Sequence, residues 1–241
     1  MGSEMCIRDR GKNETVSGKY LKASDLPSRI PVFPLSGALL LPRTQVPLNI
    51  FEPRYLQMVE DALGAERLIG MIQPSVAAPT SNAGIVEEKV PLQTVGTIGR
   101  ITSFMETDDG RFLITLTGVC RFRVREELET VTPYRQCLVE TEEFEGDLKA
   151  GRGEDSVSRD RLLEILKQYL ETNGLSADWD AIKNASNESL VNSLSVISPY
   201  GPDEKQALLE AKTLEDRNQM LIALTEIALA RDNTDGSSTV Q

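Results

Sequence analysis

Histidine is absent from all 241 residues. That removes Ser-His-Asp and Cys-His nucleophilic catalysis and most catalytic zinc sites, because these chemistries need an imidazole. Cysteine is scarce: Cys6, Cys120 and Cys137 stand at no CxxC spacing. An odd, scattered set reads as reduced thiols of a cytoplasmic protein rather than a disulfide framework. Aromatic residues make up 5% of the chain, few for a surface that stacks nucleobases. No apolar run approaches the roughly 18 residues a membrane span needs, so a protein free of the membrane is expected. The G-x-x-x-x-G-K-[ST] of a P-loop and the spacing of an EF-hand are both missing. No cofactor, metal or catalytic residue is expected.

Charge is uneven. Residues 1–140 carry 16 Lys/Arg against 17 Asp/Glu, whereas residues 141–241 carry 10 against 20. The acidic second half repels phosphate backbones and argues against nucleic acid as a partner. The acidic pairs Glu87/Glu88, Asp108/Asp109 and Glu142/Glu143 flank loops and turns, and adjacent carboxylates on an extended chain point apart, so they read as solvated charge. Arg121, Arg123 and Arg125 alternate and so share one strand face. Pairing with Glu126, Glu127 and Glu129 is the expected use of that stripe.

Five segments follow from periodicity. Residues 1–28 read as a tail. "MGSEMCIRDR" lacks the apolar core of a signal peptide and resembles a translated sequencing-adapter fragment. Residues 29–143 carry strand signals: the proline-broken runs "IPVF" and "QVPLNI", "RLIGMIQP", and a hairpin turning at "DDG" after Met105. One helix interrupts them, "EPRYLQMVEDALG", with Pro53 in its first turn and Gly64 as its stop. The glycines of "GTIGR" (96–100) read as backbone packing, and residues 74–91 as a long polar loop of functional or mobile character. Residues 144–154 read as a connector, residues 155–231 as a helical bundle whose Leu162, Leu163, Leu166, Tyr169 and Leu170 form one stripe, and residues 232–241 as a polar tail. Thr213 and Asp216 form a variant capping box. The fold class is α+β: a mainly antiparallel, closed or half-closed sheet with one helix, then the bundle.

The most unusual stretch is "FPLSGALLLPRTQVPLNIFEPRY", residues 33–55. Extended chain sends alternate side chains to opposite faces. Leu39, Leu40 and Leu41 can therefore all be interior only if both faces are covered, and at least one of them is expected at the surface. A groove shared by these leucines with Phe51, Tyr55 and Met58 is the expected protein-binding site.

The blocks "IPVFPLSGALLLPRTQVPLNIFEPRYLQMVEDAL", "LIGMIQP", "VGTIGRITSFMETDDGRFLITLTGVCRFRV", "PYRQCLVE" and "DEKQALLEAKTLEDRNQMLIALTEIAL" occur in an order that resembles the N-terminal substrate-binding domain of Lon proteases. The resemblance implies a PUA-like β-rich subdomain followed by a helical bundle. Full Lon proteases continue into an ATPase module and a Ser-Lys peptidase domain, and no motif of either is present. The expectation is a stand-alone, non-enzymatic module. It recognises unfolded or exposed apolar polypeptide, or acts as an adaptor beside a protease or chaperone, as monomer or dimer. RNA binding by the PUA-like sheet is the competing reading, disfavoured by the acidic charge and sparse aromatics, and an uncharacterised hydrolase is the weakest.

Overall fold

The computed structural model describes residues 19–75 and 90–236, with side chains as far as Arg231. Most of the 74–91 loop, Cys6 and the first 18 residues lie outside that range. The chain divides into two compact units, residues 1–149 and 150–241.

Among its described residues the β unit contains six strands: β1 (Arg29–Pro34), β2 (Gln45–Ile50), β3 (Leu68–Pro74), β4 (Leu92–Glu106), β5 (Phe112–Leu128) and β6 (Arg135–Glu140). They are ordered β2-β5-β4-β3-β1-β6, and a further β5–β6 pairing closes five of them into a barrel. Among the described residues, only the β1–β3 pair is parallel. The closure depends on the length of β5, whose first half pairs with β2 and whose second half pairs with β6. The bend falls at Gly118, beside a register shift against β4, as expected of a bulge that adds curvature. β2 is left at the end of the order, with Pro47 opposite Thr115. The β4–β5 turn is "DDG" as read, with Gly110 at φ +76° and Asp109 held by Thr107 and Arg111.

Helix α1 (Pro53–Leu63) buries Tyr55, Met58, Val59 and Ala62 at helical spacing and ends at Gly64, whose N–H reaches the Glu60 carbonyl at 3.1 Å. These side chains join Phe33, Leu40, Ile50, Met71, Ile101 and Leu116 in one core. Phe33 and Tyr55 meet edge-to-face at 4.5 Å. The "GTIGR" glycines do serve packing. A Cβ on Gly96 would lie 2.5 Å from Phe122, and one on Gly99 2.8 Å from Leu40.

Two expected boundaries change. Residues 20–28 are part of the fold, because Tyr20, Ala23 and Leu26 are buried and Ala23 N–H donates to Glu145 at 3.1 Å. The stretch 144–154 is no loose tether. Its first part is a 3-10 turn (Glu142–Leu148) that buries Phe144 and Leu148 in the β unit. Its last part is tied within the helical unit, where Glu154 accepts from the Glu188 N–H at 2.9 Å.

The helical unit comprises α2 (Arg159–Thr172), α3 (Trp179–Asn184), α4 (Asn187–Ile197), α5 (Pro202–Glu210) and α6 (Leu214–Gly236). The backbone of α6 runs five residues beyond the expected end at 231. Capping chemistry sets the starts. Asp178 accepts from Asp180 N and Ala181 N, and Ser186 from Ser189 N. Thr213 and Asp216 form the reciprocal capping box, with bonds of 3.0 and 3.1 Å. Buried Arg217 links α6 to the Leu208 carbonyl and Asn192.

Candidate functional site

The structure disperses the site expected from the sequence. Leu39 and Leu40 are 2% exposed and Leu41 is 0% exposed, so none of the three is a surface contact. The segment is folded back on itself by Thr44, whose hydroxyl bonds both Leu41 N (3.0 Å) and Leu41 O (2.8 Å). Arg43 takes φ +66° in this turn. The turn is then sewn to the sheet: Arg43 N–H donates to Gly118 O, Gly118 N–H to Thr44 O, and Thr97 Oγ1 to Leu40 O at 2.6 Å. Contact is so close at Gly118 that any Cβ there would run into the Leu41 carbonyl. Both faces of the segment are covered, which is the condition under which three adjacent leucines are all interior. Tyr55 and Met58 are core residues as well, at 8% and 1% exposure. Only Phe51 of the expected set is exposed. Across the neighbouring strands Asn49, Leu113 and Met105 stand in register, the last two exposed like Phe51.

The arginine stripe is consumed internally, with partners other than those expected. Arg121 is forked onto Asp147, with Nε and Nη2 at 2.8 and 2.9 Å, and both side chains are largely buried. Arg123 pairs with Glu143 and Arg125 with Glu140. Glu127 serves Arg135 instead. A stripe already neutralised offers little to a phosphate backbone.

No nucleophile emerges from the described cysteines. Cys120 and Cys137 are both buried, and burial pushes the Cys120 thiol far above its ordinary range, which leaves it protonated and inert. Among the described residues, no three of the His, Cys, Asp and Glu side chains gather as a metal site, and no helix is long and apolar enough to cross a membrane.

A concavity of about 300 Å³ lies in the β unit, lined by Ile30, Asp61, Ala62 and Tyr134, and a roomier one lies in the helical unit. A cavity of about 640 Å³ is lined by Leu162, Ile165, Leu166, Tyr169 and Leu170 of α2, by Ala181 and Ile182 of α3, by Leu190, Leu194 and Ile197 of α4, and by Leu221 and Thr225 of α6. The sequence stripe on α2 is therefore shared between packing and cavity wall. Leu175 and Ile197, also lining residues, are 56% and 72% exposed. Inside, Tyr200 exchanges a 2.8 Å hydrogen bond with Thr225, and burial raises the pKa of its phenol. The volume is that of a small-ligand or side-chain pocket, and its wall is largely apolar, with Ser176, Asp178, Ser189, Ser193 and Ser198 as polar interruptions. Sequence periodicity identified the α2 stripe but had no means of showing that the facing helices leave space beside it.

The family model of the ATP-dependent protease La (LON) substrate-binding domain matches residues 29–226. Among curated proteins the chain is similar to Lon protease 2 of Sorangium cellulosum (27% identity over 224 residues; 88% of this chain, 26% of the relative). It is similar also to the Lon protease of Flavobacterium johnsoniae (25% over 218 residues; 86% and 26%). It thus spans about a quarter of the length of these relatives. Among solved structures, the Lon N-terminal domain protein of Xanthomonas campestris superimposes with a TM-score of 0.57 at 21% identity, covering 82% of this chain and 98% of that one. The N-terminal domain of the Mycobacterium avium complex Lon protease gives 0.58 at 17%, with the same coverages. The two-unit α+β architecture is thus that of solved Lon N-terminal domains, and with most of its length matched by the family model, the chain belongs to the Lon substrate-binding-domain family.

Proposed function

We propose that this chain is a non-catalytic polypeptide-binding module that grips apolar side chains of unfolded or partly folded proteins, for its own clients or as an adaptor for a protease. The observation that carries the reading is the apolar cavity of the helical unit, open enough to leave Leu175 and Ile197 in solvent. Burying one large apolar side chain is worth about 1.5–3 kcal/mol. Set against the cost of association, a few such side chains leave weak, readily reversible affinity. Dispersion and burial are nondirectional, so many sequences satisfy such a site. Leu113 and Met105, paired across β4 and β5, and Phe51 just after β2 are further exposed apolar residues of the β unit.

RNA binding is less well supported, because the one basic stripe is ion-paired. The test is fluorescence anisotropy with a labelled unfolded apolar peptide. Leu175→Ser and Ile197→Ser are expected to weaken binding several-fold. Unchanged affinity in both variants would place the grip outside this cavity. The purified chain is expected neither to hydrolyse ATP nor to cleave casein, and turnover that follows the protein through successive columns would refute the non-catalytic part.

A further inference from the structure

We propose that the polypeptide taken by the helical-unit cavity is cationic as well as apolar: a segment with Lys or Arg flanking its large apolar residues. This deepens the reading above and rests on it. Two stretches build most of the cavity wall, residues 170–182 and 186–200. Together they contain Asp178, Asp180 and Glu188, with Glu171 paired to Lys167, and the one basic residue between the two stretches is Lys183. Asp178 is the only charged residue in the wall itself. No ion pair engages Asp178 or Asp180 among the described residues.

The basic residues of α2 are already occupied. Arg159 donates to the Ile182, Lys183 and Ala185 carbonyls and to Asn187, which fix its guanidinium without cancelling its charge. Arg161 is paired with both Glu164 and Glu226, and Lys167 with Glu171. On α3, Lys183 is the sole basic side chain. Residues 150–236 as a whole carry 16 acidic against 9 basic side chains. A cavity with apolar walls inside a negative field draws in cations and repels anions. Lysine and arginine suit it doubly, because their methylene stems lie on apolar surface while the charged heads stay in water beside the carboxylates. An acidic client segment of equal hydrophobicity would meet like charge on approach, and selection between the two follows from that repulsion.

The experiment uses the intact chain and three labelled unfolded peptides of one length and one set of apolar residues, flanked by Lys, Ser or Glu. At low salt the Lys peptide is expected to bind about tenfold or more tighter than the Glu peptide, with the Ser peptide between. The ratio should fall toward one at high salt, where charges are screened within a few ångströms. Asp180→Asn should narrow the low-salt ratio, whereas Ile197→Ser should weaken all three peptides together. Equal binding of Lys and Glu peptides, still weakened by Ile197→Ser, overturns the charge proposal and leaves the polypeptide-binding reading standing. A Lys preference that neither Ile197→Ser nor Asp180→Asn alters places the selectivity elsewhere and also overturns it. If no peptide binds, the functional reading fails and the proposal with it.

Discussion

The β unit and the helical unit use their apolar residues in opposite ways. Among the described residues, eleven of the twelve largest side chains sealed from solvent belong to the β unit and only Leu162 to the helical unit. The β unit closes its barrel, buries Leu39–Leu41 and pairs Arg121, Arg123 and Arg125 with carboxylates of its own. The helical unit leaves a cavity of about 640 Å³ and two exposed hydrophobic residues beside it. The residues that look most adhesive in the sequence are therefore structural, while a stretch of ordinary helical periodicity lines the space. Dense packing gives rigidity. Room for a guest must be found where packing is incomplete.

Substitutions test this contrast. The largest effect is expected from Arg121→Ala, which strands the nearly buried Asp147 carboxylate. Removing one partner of such a pair costs on the order of 3–5 kcal/mol, to be read from urea denaturation, and a loss below about 1 kcal/mol would show the pair to be solvated. Next comes Leu41→Ala, with a loss of about 2–5 kcal/mol from the vacated volume and unchanged peptide affinity well below the melting temperature. Selective loss of affinity without destabilisation would return the leucines to the binding surface.

A smaller effect depends on pH. Burial, followed by its hydrogen bond to Asp61, raises the Tyr134 phenol from 10.0 to about 12. The folded state thus holds this proton more tightly than the unfolded chain. Its stabilisation is fully present below pH 10 and is lost as pH rises through about 12. Melting temperatures measured across that interval should fall less steeply in Tyr134→Phe. Tyr55 and Tyr200 are shifted in the same direction by burial, so the variant should reduce the slope rather than abolish it. The smallest stability change belongs to Ile197→Ser, within about 0.5 kcal/mol for a surface site, even as binding weakens. An early melt in that variant would make Ile197 a packing residue.

Much of the fold was legible because its determinants are local. Pro53 and the Tyr55, Met58, Val59, Ala62 spacing specify α1. "DDG" specifies the hairpin, and Thr213 with Asp216 specifies the start of α6. The fate of Leu39–Leu41 was not legible, since it depends on Gly118 and Thr97 supplying a second covering surface from strands some sixty to eighty positions away. The arginine partners were missed for the same reason. Neighbours in sequence were expected to pair, but Asp147, Glu143 and Glu140 reach the stripe through the chain's return path. A cavity is the hardest feature to read from one strand of text, because it is set by what opposing helices fail to fill.

β2 has a consequence for any protein that handles unfolded chains. Among the described residues this strand is paired on one side only, and an open strand edge is a template onto which an extended client can polymerise. Pro47 sits at its middle, and a proline is accommodated in a strand where its nitrogen faces away from the partner. The outward row of donors is thereby interrupted at its centre, and an incoming strand finds no continuous ladder to copy. A module that meets sticky polypeptides repeatedly stays separable from them when its contacts are made by side chains in a cavity rather than by backbone at an edge. On the proposed function, Pro47 would favour release of a client as much as the cavity favours its capture.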